Sequence, residues 1–161
     1  MTNAPATIGI RAATLEDAAV IAEFNRRLAW ETEEIRLKPD VIEAGVMGML
    51  TDPAKGKYYV ATIDDQVVGQ IMHTFEWSDW RNGFLWWIQS VYVQQEYRSQ
   101  GVFRALFEHL RKEAEKSDGV GLRLYVEEEN HTAQQVYHKL GMSHGGYHVL
   151  ELPLVNRFAD G

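Results

Sequence analysis

Two stretches of this chain carry residue types whose spacing could do chemistry. The first, residues 88–103, reads Ile-Gln-Ser-Val-Tyr-Val-Gln-Gln-Glu-Tyr-Arg-Ser-Gln-Gly-Val-Phe. An apolar strand runs into a short polar loop and then into an amphipathic helix with glycine at its start. The first turn of a helix presents unpaired N–H groups and the positive end of the helix dipole, which together suit an anion such as a pyrophosphate. Gly101 lets backbone approach that anion without a Cβ in the way, and Arg98 adds a cation. The same glycine and arginine also suit a connection that binds nothing and only needs the turn. The second stretch, residues 126–142, contains Asn130, Ala133, Tyr137, Gly141 and Met142. Asn130 reads as a helix cap, and Tyr137 falls on the apolar stripe of the helix that follows, where a core tyrosine with one hydrogen bond is the plain alternative to a chemical role.

Other chemistries are absent by motif. With no cysteine, thiolate catalysis, disulfides and cysteine-ligated metal are excluded. There is no Walker loop, dinucleotide fingerprint or G-x-S-x-G elbow. The six histidines lack metal-ligand spacing: His144 and His148 lie four apart, but in a segment that reads as strand, so no metal is expected. Sixteen basic residues against 23 acidic ones give a net charge of −7, which disfavours nucleic acid and favours a cationic partner. Residues 1–5 lack the basic-then-apolar pattern of a signal peptide, and no window reaches the ~18 apolar residues of a membrane span, so a cytoplasmic protein without membrane contact is expected.

The elements that must position these residues follow from periodicity. The 161 residues suit one domain, read here as 1–161, and 45% hydrophobic content is enough for a core. Residues 8–12 read as a strand, and Thr14 with Glu16 and Asp17 as a helix start. Pro39 opens a second helix. Residues 58–63 and 67–75 read as strands joined by a hairpin at Asp64-Asp65, and 85–93 as a strand buried on both faces. Phe103, Leu106, Phe107, Leu110 and Ala114 recur at helical spacing. Residues 121–126 read as strand, 133–140 as a helix stopped by Gly141, and 142–152 as a closing strand. The fold class is therefore mixed α/β, with antiparallel middle strands and later strands flanking helices.

Both stretches and this element order resemble the GNAT superfamily of N-acetyltransferases along nearly the whole chain. The family's pyrophosphate signature, Arg/Gln-x-x-Gly-x-Gly/Ala, reads here Arg98-Ser99-Gln100-Gly101-Val102-Phe103. Its later pattern, Asn-x-x-Ala-x-x-x-Tyr-x-x-x-Gly-Met/Phe, reads Asn130, Ala133, Tyr137, Gly141 and Met142. Phe103 departs from the pattern, standing where a small residue is usual. The resemblance implies a central, mostly antiparallel twisted sheet flanked by about four helices, with acetyl-CoA as cofactor. It implies that the backbone of Val91, Tyr92 and Val93 pairs with the pantetheine arm and that an N–H there polarises the thioester carbonyl, the logic of an oxyanion hole. Arg98, Ser99, Gln100, Gly101, Val102 and Phe103 would line the pyrophosphate, and Asn130 and Ala133 the arm. Tyr137 would be the general acid that protonates the leaving thiolate.

No motif fixes the base. Glu31 and Glu76 are the candidates, each with a solvated surface carboxylate as its plain alternative. Gln89, Trp77 and Asp79 are candidate acceptor contacts, since aromatic rings beside acids suit a cationic amine. The same tryptophan-rich segment would also suit the interface of a homodimer. The expected activity is acetyl transfer from acetyl-CoA to a primary amine, on a small cationic molecule. The alternatives are a protein or peptide N-acetyltransferase and a non-catalytic acyl-CoA sensor.

Overall fold

A computed structural model describes residues 6–158. The reading of residues 1–5 lies outside the described residues. The elements run β1 (Gly9–Ala12), α1 (Ala18–Glu33), α2 (Pro39–Thr51), β2 (Gly56–Ile63), β3 (Gln66–Ser78), β4 (Gly83–Val93), α3 (Val102–Lys116), β5 (Gly121–Leu124) and α4 (His131–Lys139). The five strands form one sheet in the order β1-β2-β3-β4-β5, antiparallel except for the parallel β4–β5 pair. This is the mixed sheet with four helices that the sequence led us to expect. No helix among the described residues is long and apolar enough to cross a membrane.

Helix α3 covers one face of the sheet. Its Val102, Leu106, Phe107, Leu110 and Ala114 are buried against Tyr59, Ala61, Ile71, Trp86, Ile88 and Val93. Each large side chain so buried contributes about 1.5–3 kcal/mol. Helices α1 and α2 cover the β2 side of the other face, where Ile21, Ala22 and Val46 pack on Tyr58 and Val60. The β2–β3 turn at Asp64 and Asp65 holds both residues at positive φ, 49° and 62°, the primed-turn geometry that fits the twist of a hairpin. Pro39 occupies the first turn of α2, and Gly141, at φ 98°, follows the end of α4.

One irregularity matters for function. On β3, Met72 and His73 are consecutive, but their β4 partners are Ser90 and Ile88, so Gln89 is an unpaired bulge. Trp86 and Ile88 therefore face α3 before the bulge, and Val91 and Val93 face it afterwards. Ser90 and Tyr92 are turned instead toward α1, where Ser90 Oγ donates to Asn25 Oδ1 at 2.9 Å and Tyr92 packs on Phe24.

One expected element is missing. Residues 142–152 are not a strand, and the chain beyond α4 runs to Phe158 with its apolar side chains in water and a single bridge, Leu37 to Phe158. The alternation of apolar residues is present, but β5 is the last strand of the sheet and nothing among the described residues pairs with its outer edge. A strand needs a partner ladder as well as a pattern.

Candidate active site

The β4–β5 ladder joins only Leu85–Ile88 to Gly121–Leu124. From the Gln89 bulge onward β4 still pairs with β3, through Val91↔Ile71, Tyr92↔Gln70 and Val93↔Gly69, but its other edge has no strand partner among the described residues. The sheet thus opens between β4 and β5, leaving the main-chain groups that residues 89–92 turn to that edge available to an extended ligand. An amide-bearing arm such as pantetheine is of the right chemistry to complete that ladder.

At the end of β4 the chain makes a 3-10 turn at Gln95–Tyr97 and enters α3 through two left-handed residues, Ser99 (φ 62°) and Gly101 (φ 87°). A Cβ built on Gly101 would meet nothing within 4 Å. The glycine is required there by its backbone angle, and the space beside it is open to a phosphate. Val102, Phe103 and Arg104 begin α3, and their N–H groups have no intrahelical partner. Phe103 does not close this space. Its ring lies on the α4 side, 5.8 Å from Tyr137 in an edge arrangement and 6.3 Å from Phe107. The large residue at the usually small position thus forms the seat on which Tyr137 rests. These features fit the phosphates and arm of acetyl-CoA.

Arg98 is committed elsewhere. Its Nε donates to the Val93 carbonyl at 2.9 Å, its Nη2 to Glu31 Oε2 at 2.6 Å, and its guanidinium lies 5.4 Å from the Tyr92 ring. Glu31 Oε1 accepts from the Tyr92 hydroxyl at 3.0 Å. Arg98 and Glu31 therefore tie the end of α1 to the end of β4 and fix the loop, and both Glu31 oxygens are occupied. The Tyr92 phenol is raised in pKa, chiefly by burial and then by Glu31.

Glu76 sits in a different setting. Its Oε2 accepts from the Trp87 indole and from Arg123 at 3.2 Å, which leaves Oε1 without a donor. Trp77, Asp79 and Glu76 join Arg123 and Tyr147 around an open cavity of about 270 Å³. The Trp87 ring meets Tyr125 at 4.5 Å, and the Gln89 amide donates to Thr74 Oγ1 at 2.7 Å. Gln89 and Glu76 thus lie on the sheet face not covered by α3, beside the bulge. Trp77 itself packs edge-on against Phe84, and the Asp79 carboxylate accepts from the Trp80 N–H.

Asn130 caps α4, its Oδ1 accepting from the Ala133 N–H at 3.1 Å. Tyr137, half-buried, is raised above the ordinary tyrosine pKa by desolvation, and no described hydrogen bond engages its hydroxyl. It remains a proton donor at neutral pH. The fold gathers Glu31, Tyr92 and Arg98 at one point, Glu76 and Gln89 at a second, and Tyr137 on Phe103 at a third.

Sequence reasoning missed Thr74, Arg123 and Tyr125. Arg123 meets Glu76 only through the parallel β4–β5 register, which no local pattern encodes. Thr74 could have been found, because strand alternation from Glu76 puts it on the same face. Also missed was the buried network behind the bulge, in which Gln70 donates to Ser90, Ser90 to Asn25, and Asn25 to the Tyr58 hydroxyl.

An opened β4 edge, a glycine-gated helix start and a tyrosine on the following helix are the features that an acyl-CoA-dependent transferase would need. The chain matches the acetyltransferase (GNAT) family over residues 15–142 and belongs to that family, whose members draw their acetyl group from acetyl-CoA. A possible acetyltransferase from Clostridium difficile 630 has a structure 48% identical, covering 92% of this chain and 99% of its own, with a TM-score of 0.87. The aminoglycoside N-acetyltransferase AAC(6')-Iy, solved in complex with CoA, shares the fold at 13% identity, covering 96% of this chain and 100% of its own, with a TM-score of 0.78. Streptothricin acetyltransferase from Escherichia coli is 32% identical over 88 residues, which is 55% of this chain and 48% of that protein. The chain thus spans about half the length of this curated relative.

Proposed function

We propose that this protein transfers the acetyl group of acetyl-CoA to a primary amine on a small cationic molecule, by direct attack while both substrates are bound. The observation that carries the reading is the opening of the sheet beyond the Gln89 bulge, with open space beside Gly101 on one side and an acidic, aromatic floor on the other. Val91, Tyr92 and Val93 would hold the arm, and the loop from Ser99 to Phe103 the pyrophosphate. Bound there, acetyl-CoA supplies a thioester carbonyl as acyl donor.

The acceptor amine arrives protonated, with a lysine-like pKa of about 10.4, and only its neutral form attacks. Glu76 is the better base of the two candidates, because Oε1 is free whereas both Glu31 oxygens already accept hydrogen bonds. It takes the proton directly or through a water. Tyr137 holds the proton needed at the leaving thiolate sulfur, and desolvation keeps it there. Trp77, Asp79 and Gln89 border the acceptor. The names of the streptothricin and aminoglycoside enzymes support a small amine-bearing acceptor, and the −7 charge supports a cation. A cytoplasmic location belongs to the same reading.

The test is steady-state acetylation of an amine panel by wild type, Tyr137→Phe and Glu76→Gln, with acetyl-CoA affinity measured separately. Both variants should lose roughly 10²-fold or more in kcat while holding acetyl-CoA within a few-fold of wild type. Activity of Glu76→Gln should recover as pH approaches the amine pKa. Unchanged turnover in Tyr137→Phe, or a panel in which only neutral or acidic compounds are acetylated, would overturn the proposal.

A further inference from the structure

The arginine that opens the pyrophosphate signature directs its described contacts away from the helix start at Gly101. Arg98 Nε donates to the Val93 carbonyl at 2.9 Å, Nη2 reaches Glu31 at 2.6 Å, and the guanidinium lies 5.4 Å from the Tyr92 ring. A guanidinium is a planar fork of donors, so two such bonds fix its orientation as well as its position. The space beside Gly101 is served instead by the unpaired main-chain N–H groups of Val102, Phe103 and Arg104.

Helix α1 needs a cation at the end that Arg98 meets. Its last turn and cap hold Glu31, Glu33 and Glu34 and no basic residue, so three acids stand at the negative end of the helix dipole. Glu34 adds a left-handed backbone at φ 55°, an uncommon conformation for a residue with a side chain. Arg36, the next cation along the chain, lies over the Trp30 ring at 5.1 Å. Among the described residues, Arg98 is the one cation that pairs with any of the three acids. Tyr92 completes the contact, donating to the other Glu31 oxygen at 3.0 Å and packing on Phe24 of the same helix at 5.2 Å.

This end of α1 stands over Tyr92, on the sheet face that α3 does not cover, and Thr74, Glu76 and Gln89 lie on that face. We infer that Arg98 serves the acceptor rather than the cofactor. With Glu31 and Tyr92 it is a positioning residue that holds the last turn of α1 over the opened β4 edge, where that turn walls the amine's side of the cleft. This role rests on the transfer reading above, and it is opposite to the phosphate contact that the family pattern implies for the same arginine.

The experiment compares wild type, Glu31→Gln, Arg98→Gln and the double variant in three readouts. The first is hydrogen exchange at the Glu34 and Ile35 amides, which bond to the Trp30 and Ala29 carbonyls at 3.1 and 3.2 Å. Each single variant should exchange there at least ~3-fold faster with the α3 amides unchanged, the size expected of one half-exposed charged contact. The second is acetyl-CoA affinity by calorimetry, expected within about two-fold of wild type throughout, because main-chain donors hold the phosphates. The third is steady-state acetylation of the amine panel, in which acceptor KM should rise at least ~3-fold while kcat stays within about two-fold. The double variant should be no worse than the more affected single, since either change breaks the same contact. A loss of about ten-fold or more in acetyl-CoA affinity in Arg98→Gln alone would return the arginine to the phosphates and overturn the inference. A fall in kcat of Glu31→Gln with acceptor KM unchanged would overturn it too, by making Glu31 the base, as would unchanged exchange in both single variants. A wild type that acetylates no amine would sink the transfer reading instead. Exchange and calorimetry need no turnover, and they still decide what Arg98 holds.

Discussion

Replacing His73 should change how this protein responds to acid. The side chain is 1% exposed and stacks on Trp86 at 3.9 Å between ring centroids, with Phe75 and Tyr59 around it. Neither ring nitrogen has a well-formed hydrogen bond among the described residues, and the Thr74 backbone offsets only part of the burial cost. Burial, reinforced by Lys57, pushes the imidazole down from 6.5 to about 4. Below 6.5 the unfolded chain binds a proton there that the folded chain does not, so stability rises with pH at up to ~1.4 kcal/mol per unit between about 4 and 6.5. The stabilisation is complete above pH 6.5 and falls away as pH drops, to a loss of about 3 kcal/mol near pH 4. For a chain of this length that is on the order of 10 °C in Tm. The assay is urea unfolding of wild type and His73→Phe at half-unit steps from pH 7.5 to 4. Overpacking by phenylalanine would offset the two curves by a constant, so the readout is the slope. Asp17 and Glu23, both held below the usual carboxylate range by arginines, titrate alike in both proteins and cancel in the difference. The slope should be shallower in the variant over that window. Parallel curves would show that His73 gains its proton without unfolding the core, and the argument from its burial would fail.

Two further outcomes follow from the polar contacts. Ser90→Ala removes the hydroxyl that joins Gln70 to Asn25 and leaves two buried amides short of a partner, so denaturant unfolding should show a loss of about 1–3 kcal/mol. Asn130→Ala removes the cap of α4 and should cost about 1 kcal/mol locally, read as faster amide exchange in the first turn of that helix with the α3 amides unchanged.

The parts of this fold that sequence made legible are those decided locally. The α3 stripe, the Asp64-Asp65 turn, the Pro39 helix start and the glycine after α4 each depend on residues within a few positions of one another. What stayed hidden depends on contacts far apart along the chain. Glu31 and Arg98 are 67 residues apart, and their pairing turned a candidate base and a candidate phosphate cation into a brace. Glu76 and Arg123 meet across 47 residues through a parallel register. Phe103, read as a departure from the family pattern, has its explanation in Tyr137, which is on another helix. Residues 142–152 read as a closing strand, yet pairing is decided by a partner that the segment's own sequence does not name.

The Gln89 bulge bears on how relatives of this chain can differ from it. Before the bulge Trp86 and Ile88 belong to the α3 core, and after it Val91 and Val93 do. The strand is written in two frames joined at one residue. Because Gln89 is the extra residue, its deletion would merge the two frames, with Ile88, Val91 and Val93 still facing α3 and Ser90 and Tyr92 still facing α1. Loss of any paired residue of the strand would instead turn one side's core residues to the wrong face. A relative one residue shorter at this point could therefore keep the same core side chains, losing only the local bend and extra twist that a bulge imposes.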